Sequence, residues 1–152
     1  MKKLLATIAT TAAVVTLSAA PAHAVTDVIM FQQAGTTKCF NAPSYYSVGL
    51  ATCNPADTRQ QWSVNYYRYP RVYPKNVYTG RCLEQYAEAR VQLNTCGPTN
   101  NQTWYRNSST FSYTLRTEPA DKCIDPTSIN GLTLNPCTAA STRWNEVVLV
   151  RG

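Results

Sequence analysis

Few residues in this 152-residue chain could carry covalent chemistry, and their placement excludes most of it. The only histidine is His23, inside an apolar leader that reads as removed on export. Ser-His-Asp and Cys-His nucleophile systems and histidine-bound metals are therefore excluded from the mature chain. Of the eight carboxylates, Glu84, Glu88, Asp121 and Asp125 stand close to the repeated motifs of the chain. A glycosidase needs two carboxylates facing across a cleft, about 5 to 9.5 Å apart. Glu84 and Asp125 occupy equivalent positions of different repeats, which argues against their facing each other. With no nucleophile–base set, the chain reads as a non-enzyme that needs no cofactor.

The six cysteines and three tryptophans share one frame, a cysteine, a second cysteine fourteen residues on, then a tryptophan. The copies are Cys39/Cys53/Trp62, Cys82/Cys96/Trp104 and Cys123/Cys137/Trp144. A period of this size marks a repeat architecture. Three copies divide the mature chain at about 25–66, 67–109 and 110–152. Six cysteines allow fifteen pairings in principle. If the copies fold alike, the equivalent bond lies within each copy, predicting Cys39–Cys53, Cys82–Cys96 and Cys123–Cys137. Each would close a loop of about fifteen residues, worth on the order of 3 kcal/mol in the chain-entropy model. Zinc is disfavoured, since no close C-x-x-C spacing accompanies the cysteines.

The elements that position this frame begin after residue 24. Lys2 and Lys3, the apolar run Leu4 to Ala20 and the Ala22-His23-Ala24 ending form a secretory signal cut after Ala24. This implies an extracellular, disulfide-permissive setting with no membrane anchor. Without Lys2 and Lys3, twelve Lys/Arg face eight Asp/Glu, a net charge of +4. The basic residues are scattered rather than striped, so nucleic acid is not an expected partner.

Short strand patterns bounded by Gly, Pro and Asn turns fill residues 25–152, and no helical period is sustained. In the first copy they are Val28–Phe31, Lys38–Asn41, Val48–Cys53 and Gln61–Val64. In the second, Arg71–Tyr73 and Asn76–Tyr78 lead into Arg81–Glu84, Arg90–Thr95 and Thr103–Tyr105. In the third, Phe111–Leu115, Lys122–Asp125, Gly131–Pro136 and Trp144–Leu149 follow. Five residues before each second cysteine stand Val48, Val91 and Leu132, and three before it Leu50, Leu93 and Leu134. Positions two apart share a strand face, so these six should form core. The opposite face carries Gly49 and Ala51, Gln92 and Asn94, and Thr133 and Asn135. Four strands in each of three copies make twelve, enough to close and cap a barrel, whereas one copy alone cannot bury its apolar face.

These residues resemble the ricin B-type lectin domains, β-trefoil carbohydrate-binding modules with a Gln-x-Trp motif in each repeat. Gln60-Gln61-Trp62 and Gln102-Thr103-Trp104 match the motif, and Thr142-Arg143-Trp144 keeps only the tryptophan. The resemblance covers essentially all of residues 25–152. It implies an all-β trefoil of three pseudo-repeats of four short strands, with the tryptophans mainly in the core. It also implies where sugar would be held. The family places an acid two residues after the first cysteine, a Gln four before the second, and an aromatic platform two before it. An Asn-Gln pair opens the Gln-x-Trp motif. Such groups suit sugars, because carboxylates and amides bond paired hydroxyls and a ring covers the apolar C–H face.

Carried over, the first copy has Asn41, Gly49, Ala51, Arg59 and Gln60, and lacks acid, amide and platform. The second has Glu84, Gln92, Asn94, Asn101 and Gln102, and lacks only the platform. The third retains Asp125 but has Thr133, Asn135, Ser141 and Thr142. The expected contacts are thus Glu84, Gln92, Asn94, Asn101 and Gln102, with Asp125 a lesser one. Tyr86, two residues past Glu84, is a candidate for the missing ring. The expected function is a secreted glycan- or polysaccharide-binding protein with one or two intact sites, the second repeat favoured. The alternative is a protein-interaction or protease-inhibitor role, suggested by Tyr66-Tyr67-Arg68-Tyr69-Pro70-Arg71-Val72-Tyr73-Pro74-Lys75, since Tyr and Arg anchor protein interfaces. An exposed Arg71 would be the inhibitory residue. The plainer reading of that stretch is a turn joining the first two copies.

Overall fold

The computed structural model describes residues 26–68, 70–87, 89–109, 112–116, 122–126 and 131–152. The leader, Tyr69, Glu88 and Asp121 lie outside the described residues. The described residues hold twelve strands, four per copy. The first copy holds β1 (Thr26–Gln33), β2 (Lys38–Asn41), β3 (Gly49–Thr52) and β4 (Trp62–Arg68). The second holds β5 (Arg71–Asn76), β6 (Cys82–Tyr86), β7 (Arg90–Asn94) and β8 (Trp104–Ser109). The third holds β9 (Ser112–Arg116), β10 (Lys122–Pro126), β11 (Leu132–Pro136) and β12 (Trp144–Val150).

The first and last strands of each copy form a closed ring. β1 pairs β4, β4 pairs β5, β5 pairs β8, β8 pairs β9, β9 pairs β12, and β12 returns to β1. All these pairings are antiparallel, so the ring is a six-stranded barrel without free edges. The middle strands form three hairpins, β2–β3, β6–β7 and β10–β11, that cap it. This is the β-trefoil.

The repeat frame explains both parts. The disulfides are Cys39–Cys53, Cys82–Cys96 and Cys123–Cys137, each within one copy, with Cα atoms 5.0, 5.0 and 4.9 Å apart. Each ties the start of a cap hairpin to the residues just past its end. A 3-10 turn then leads into each tryptophan, Thr58–Gln60, Asn100–Gln102 and Ala140–Thr142. Trp62, Trp104 and Trp144 are fully buried, as are the residues one past each first cysteine, Phe40, Leu83 and Ile124. The period-two face reads as expected. Val48, Val91, Leu93, Leu132 and Leu134 are buried, and Leu50 packs against them.

One strand assignment and one facing differ from the sequence reading. Asn76-Val77-Tyr78 is not a strand, because Asn76 ends β5 and builds the following turn with its own side chain. Its Oδ1 accepts from the Thr79 backbone N–H at 3.0 Å and the Thr79 hydroxyl at 3.2 Å. Its Nδ2 donates to the Arg59 and Gln61 carbonyls, so this fully buried amide pins β5 to the 3-10 turn of the first copy. Gly49 is buried rather than outward-facing, because it bridges Gly131 of the neighbouring hairpin.

The tryptophans are not equivalent in hydrogen bonding. Trp104 Nε1 donates to the Leu83 carbonyl at 3.0 Å and Trp144 Nε1 to the Ile124 carbonyl at 3.1 Å. Trp62 Nε1 is buried without a partner among the described residues, and its ring packs edge-on to Phe40 at 6.1 Å. Replacing Trp104 by Phe strands a buried carbonyl, whereas replacing Trp62 loses no such bond. Trp104→Phe should therefore destabilise more than Trp62→Phe, by about 1–3 kcal/mol, in chemical denaturation followed by circular dichroism.

Candidate functional site

On the β6–β7 hairpin, antiparallel register sets Glu84 opposite Gln92 and Cys82 opposite Asn94. Alternation along the strands puts Glu84, Gln92 and Asn94 on the hairpin face away from the buried Leu83 and Leu93. Their side chains converge. Glu84 Oε1 accepts from Asn94 Nδ2 at 3.0 Å and from Gln92 Nε2 at 3.4 Å. Glu84 Oε2 accepts from Gln102 Nε2 at 2.7 Å. Four of the five residues expected in the second copy thus form one hydrogen-bonded cluster. Asn101, the fifth, is exposed on the adjoining 3-10 turn.

Gln102 has a second duty. It is almost fully buried, donates to the Thr95 carbonyl at 2.8 Å and accepts from the Gly97 N–H at 2.9 Å. It thereby holds the loop after β7 against the Trp104 turn. Gln60 does the same in the first copy, donating to the Thr52 carbonyl and accepting from the Asn54 N–H. The glutamine of the motif is therefore a loop fastener in both copies, and only in the second does it also reach an acid. In the first copy the acid's place is taken by Asn41, so Gln60 has no carboxylate to meet.

In the third copy Asp125 is buried, and its Oδ2 accepts from Asn135 Nδ2 at 2.7 Å. Its Oδ1 is buried with no partner among the described residues. Thr142 stands where the second copy has Gln102, and its short side chain donates instead to the Ala139 carbonyl at 2.6 Å. The donor that completes the second cluster is missing from the third, and one carboxylate oxygen has no partner among the described residues.

No ring occupies the platform position, since Asn94 stands there with its amide committed to Glu84. Tyr86 is half exposed at the end of β6, on the same strand face as Glu84 and opposite Arg90. Arg71, the candidate inhibitory residue, lies in the barrel wall between β4 and β8. Its Nε donates to the Tyr105 hydroxyl at 2.8 Å, and its guanidinium lies 5.5 Å from that ring's centre. Asn76 was missed as an organising residue; its signal was an Asn three residues ahead of Thr79-Gly80. Among the described residues no group of three or more His, Cys, Asp or Glu is placed to hold a metal.

Comparison with known proteins agrees with the fold. Residues 27–145 match the family of the ricin-type beta-trefoil lectin domain, and the chain belongs to that family. No curated protein sequence matches the chain. Among solved structures, the chain is similar to the designed threefold-symmetric protein ThreeFoil, with TM-score 0.69, 14% identity, and 80% of this chain and 99% of that one covered. It is also similar to SeviL bound to asialo-GM1 saccharide, with TM-score 0.66, 13% identity, and coverages of 80% and 96%. A mosquitocidal holotoxin matches with TM-score 0.71 and 17% identity over 81% of this chain, which spans only 17% of the toxin. At these identities the likeness shows the fold alone. The chain thus has the carbohydrate-binding fold of its family.

Partial burial raises the Glu84 pKa, but the bonds from Asn94, Gln102 and Gln92 outweigh it and hold the carboxyl below its ordinary value. A depressed folded pKa contributes stability that is present at neutral pH and is lost as pH falls through the folded value. Glu84→Gln should therefore lower stability at pH 7 by under about 1 kcal/mol, since solvent screens a partly exposed group. The difference should shrink as pH drops below about 4 in parallel urea titrations.

Proposed function

We propose that this is a secreted, non-catalytic glycan-binding protein whose principal site is the outer face of the β6–β7 hairpin. The observation that carries this reading is the ionised Glu84 held by three carboxamides on a half-exposed face, an arrangement only the second copy possesses among the described residues. A carboxylate offers about four acceptor sites, and the three amides leave one open for a sugar hydroxyl. Gln92, half exposed beside it, can serve the adjacent hydroxyl. Asn101 stands ready at the edge, and Tyr86 supplies a ring on the same face. Asp125, at the position that Glu84 holds in the second copy, is the basis for a second, lesser contact in the third copy. Membership of a lectin family and likeness to a saccharide-bound protein support the ligand class. The apolar leader with its Ala-His-Ala ending supports secretion. Shallow single sites bind weakly, so the natural target is a multivalent glycan or polysaccharide.

A protein partner is the competing reading, and a substrate-like inhibitory residue must project from its scaffold to enter a protease cleft. Arg71, fixed between two strands and bonded to Tyr105, supports that poorly.

A glycan array run beside a protease panel should give glycan binding and no inhibition. Gln92→Ala and Asn101→Ala should weaken glycan affinity by about tenfold to a hundredfold, the range of a lost hydrogen bond to a charged cluster. Tyr86→Ala should cost several-fold, about 0.5–1.5 kcal/mol of ring contact. Asn41→Ala should change nothing. Unaltered affinity in the Gln92 and Asn101 variants would move the site elsewhere.

A further inference from the structure

The three cap hairpins meet on the pseudo-threefold axis around a cavity of about 510 Å³. Its lining comes from the same stretch of each copy, Tyr46 to Val48, Ala89 to Val91 and Gly131 to Thr133. Val48, Val91 and Leu132, the symmetry-related residues five before each second cysteine, are its buried members. The walls are tied backbone to backbone. The Leu93 N–H donates to the Tyr46 carbonyl at 3.0 Å, and the Leu134 N–H to the Ala89 carbonyl at 3.2 Å. The Thr133 hydroxyl donates to that same Ala89 carbonyl at 2.6 Å. A cavity of this size, with aliphatic members and a few polar groups, falls in the range of small-ligand sites, about 300–1,000 Å³.

The rim breaks the symmetry. Six before each second cysteine stand Ser47, Arg90 and Gly131, so a single cation comes to the axis. The Arg90 side chain is exposed and makes no hydrogen bond or ion pair with any described residue, and no described lining residue is acidic. Seven before the second cysteine, Tyr46 brings a ring where the second copy has Ala89. The Arg81 guanidinium lies 4.6 Å from the centre of the Tyr46 ring and 5.8 Å from that of Tyr45, fixing the ring and adding positive charge beside the rim.

We propose that this axial cavity is a second binding site, distinct from the Glu84 cluster, for a pyranose that carries a carboxylate. The carboxylate would pair with Arg90, which can take it bidentately. The apolar face of the ring would rest on Val48, Val91 and Leu132, with Tyr46 along its edge. There is one such axis per chain, so one acidic sugar binds per chain. The ligand class rests on the glycan-binding reading, but no residue of the Glu84 cluster takes part.

The test uses the full mature chain with methyl-labelled Val and Leu, titrated with methyl β-D-glucuronide and, separately, with methyl β-D-glucoside. The two probes differ only in the carboxylate. The glucuronide should shift the methyl signals of Val48, Val91 and Leu132, and the glucoside should shift them at least about tenfold more weakly. Arg90→Gln should remove that preference while its other methyl signals stay in place, which certifies its fold. Equal response to both probes, no response at the axis, or an Arg90→Gln variant that keeps the preference would overturn the proposal. The readings also fail separately. Axial shifts without any glycan loss in Gln92→Ala would sink the Glu84 site and leave the axial one. Glycan binding that depends on Gln92, with a silent axis, would do the reverse.

Discussion

The pairing of the first strand with the last is the constraint on which this molecule depends. β1 and β12 lie antiparallel from Val28↔Val150 to Gln33↔Trp144, and the Gly152 N–H reaches the Asp27 carboxylate at 3.2 Å. That contact converts six wall strands into a ring with no edge left to pair elsewhere. It spans nearly the whole described chain, so its loop-closure cost is met only when all three copies are in place. The tryptophan of the third copy is covered in part by the first. Trp62 is covered by Phe31 of its own copy, while Phe40 reaches Trp144 of the third at 4.3 Å between ring centres. The repeat is thus a unit of sequence and not a unit of stability.

The buried amides show how one scaffold separates structure from recognition. Gln60 and Gln102 make the same pair of backbone bonds and fasten the same loop. In the second copy the same amide group also reaches Glu84, which places that carboxylate between the loop and the hairpin face. In the third, a threonine too short to reach leaves Asp125 half satisfied. Changes at three shared positions, Glu84 to Asp125, Gln92 to Thr133 and Gln102 to Thr142, separate the two clusters. The disulfides act at the same place, pinning each hairpin so that its outer face stands at a fixed height above the tryptophan turn.

The axis obeys a different rule. Symmetry brings three equivalent backbones together there and leaves a space between them. Identical side chains would fill or open that space evenly. Ser47, Arg90 and Gly131 do neither, so charge and ring are placed asymmetrically about an aliphatic centre. A threefold scaffold can carry three lateral surfaces and one central one, each tuned by residues outside the buried frame.

The Cys/Cys/Trp spacing, and the valines and leucines five and three before each second cysteine, determined the repeat, the disulfide pairing and the buried face. Those properties follow from local chain geometry, periods of two within strands and about forty-two between copies. The acid and amide positions of the second copy were also legible, through the resemblance to the ricin B-type domains, and the antiparallel register of the hairpin is what makes Glu84 and Gln92 neighbours. Tertiary structure alone decided the rest. Asn76 binds carbonyls of the first copy's turn, fifteen and seventeen residues back, and no local pattern announces that reach. Gly49 is buried because another hairpin lies on it. Arg71 is held by Tyr105, thirty-four residues away. The burial of Gln102, the burial of Asp125 and the axial cavity likewise depend on which copies touch, and that is settled only when the barrel closes.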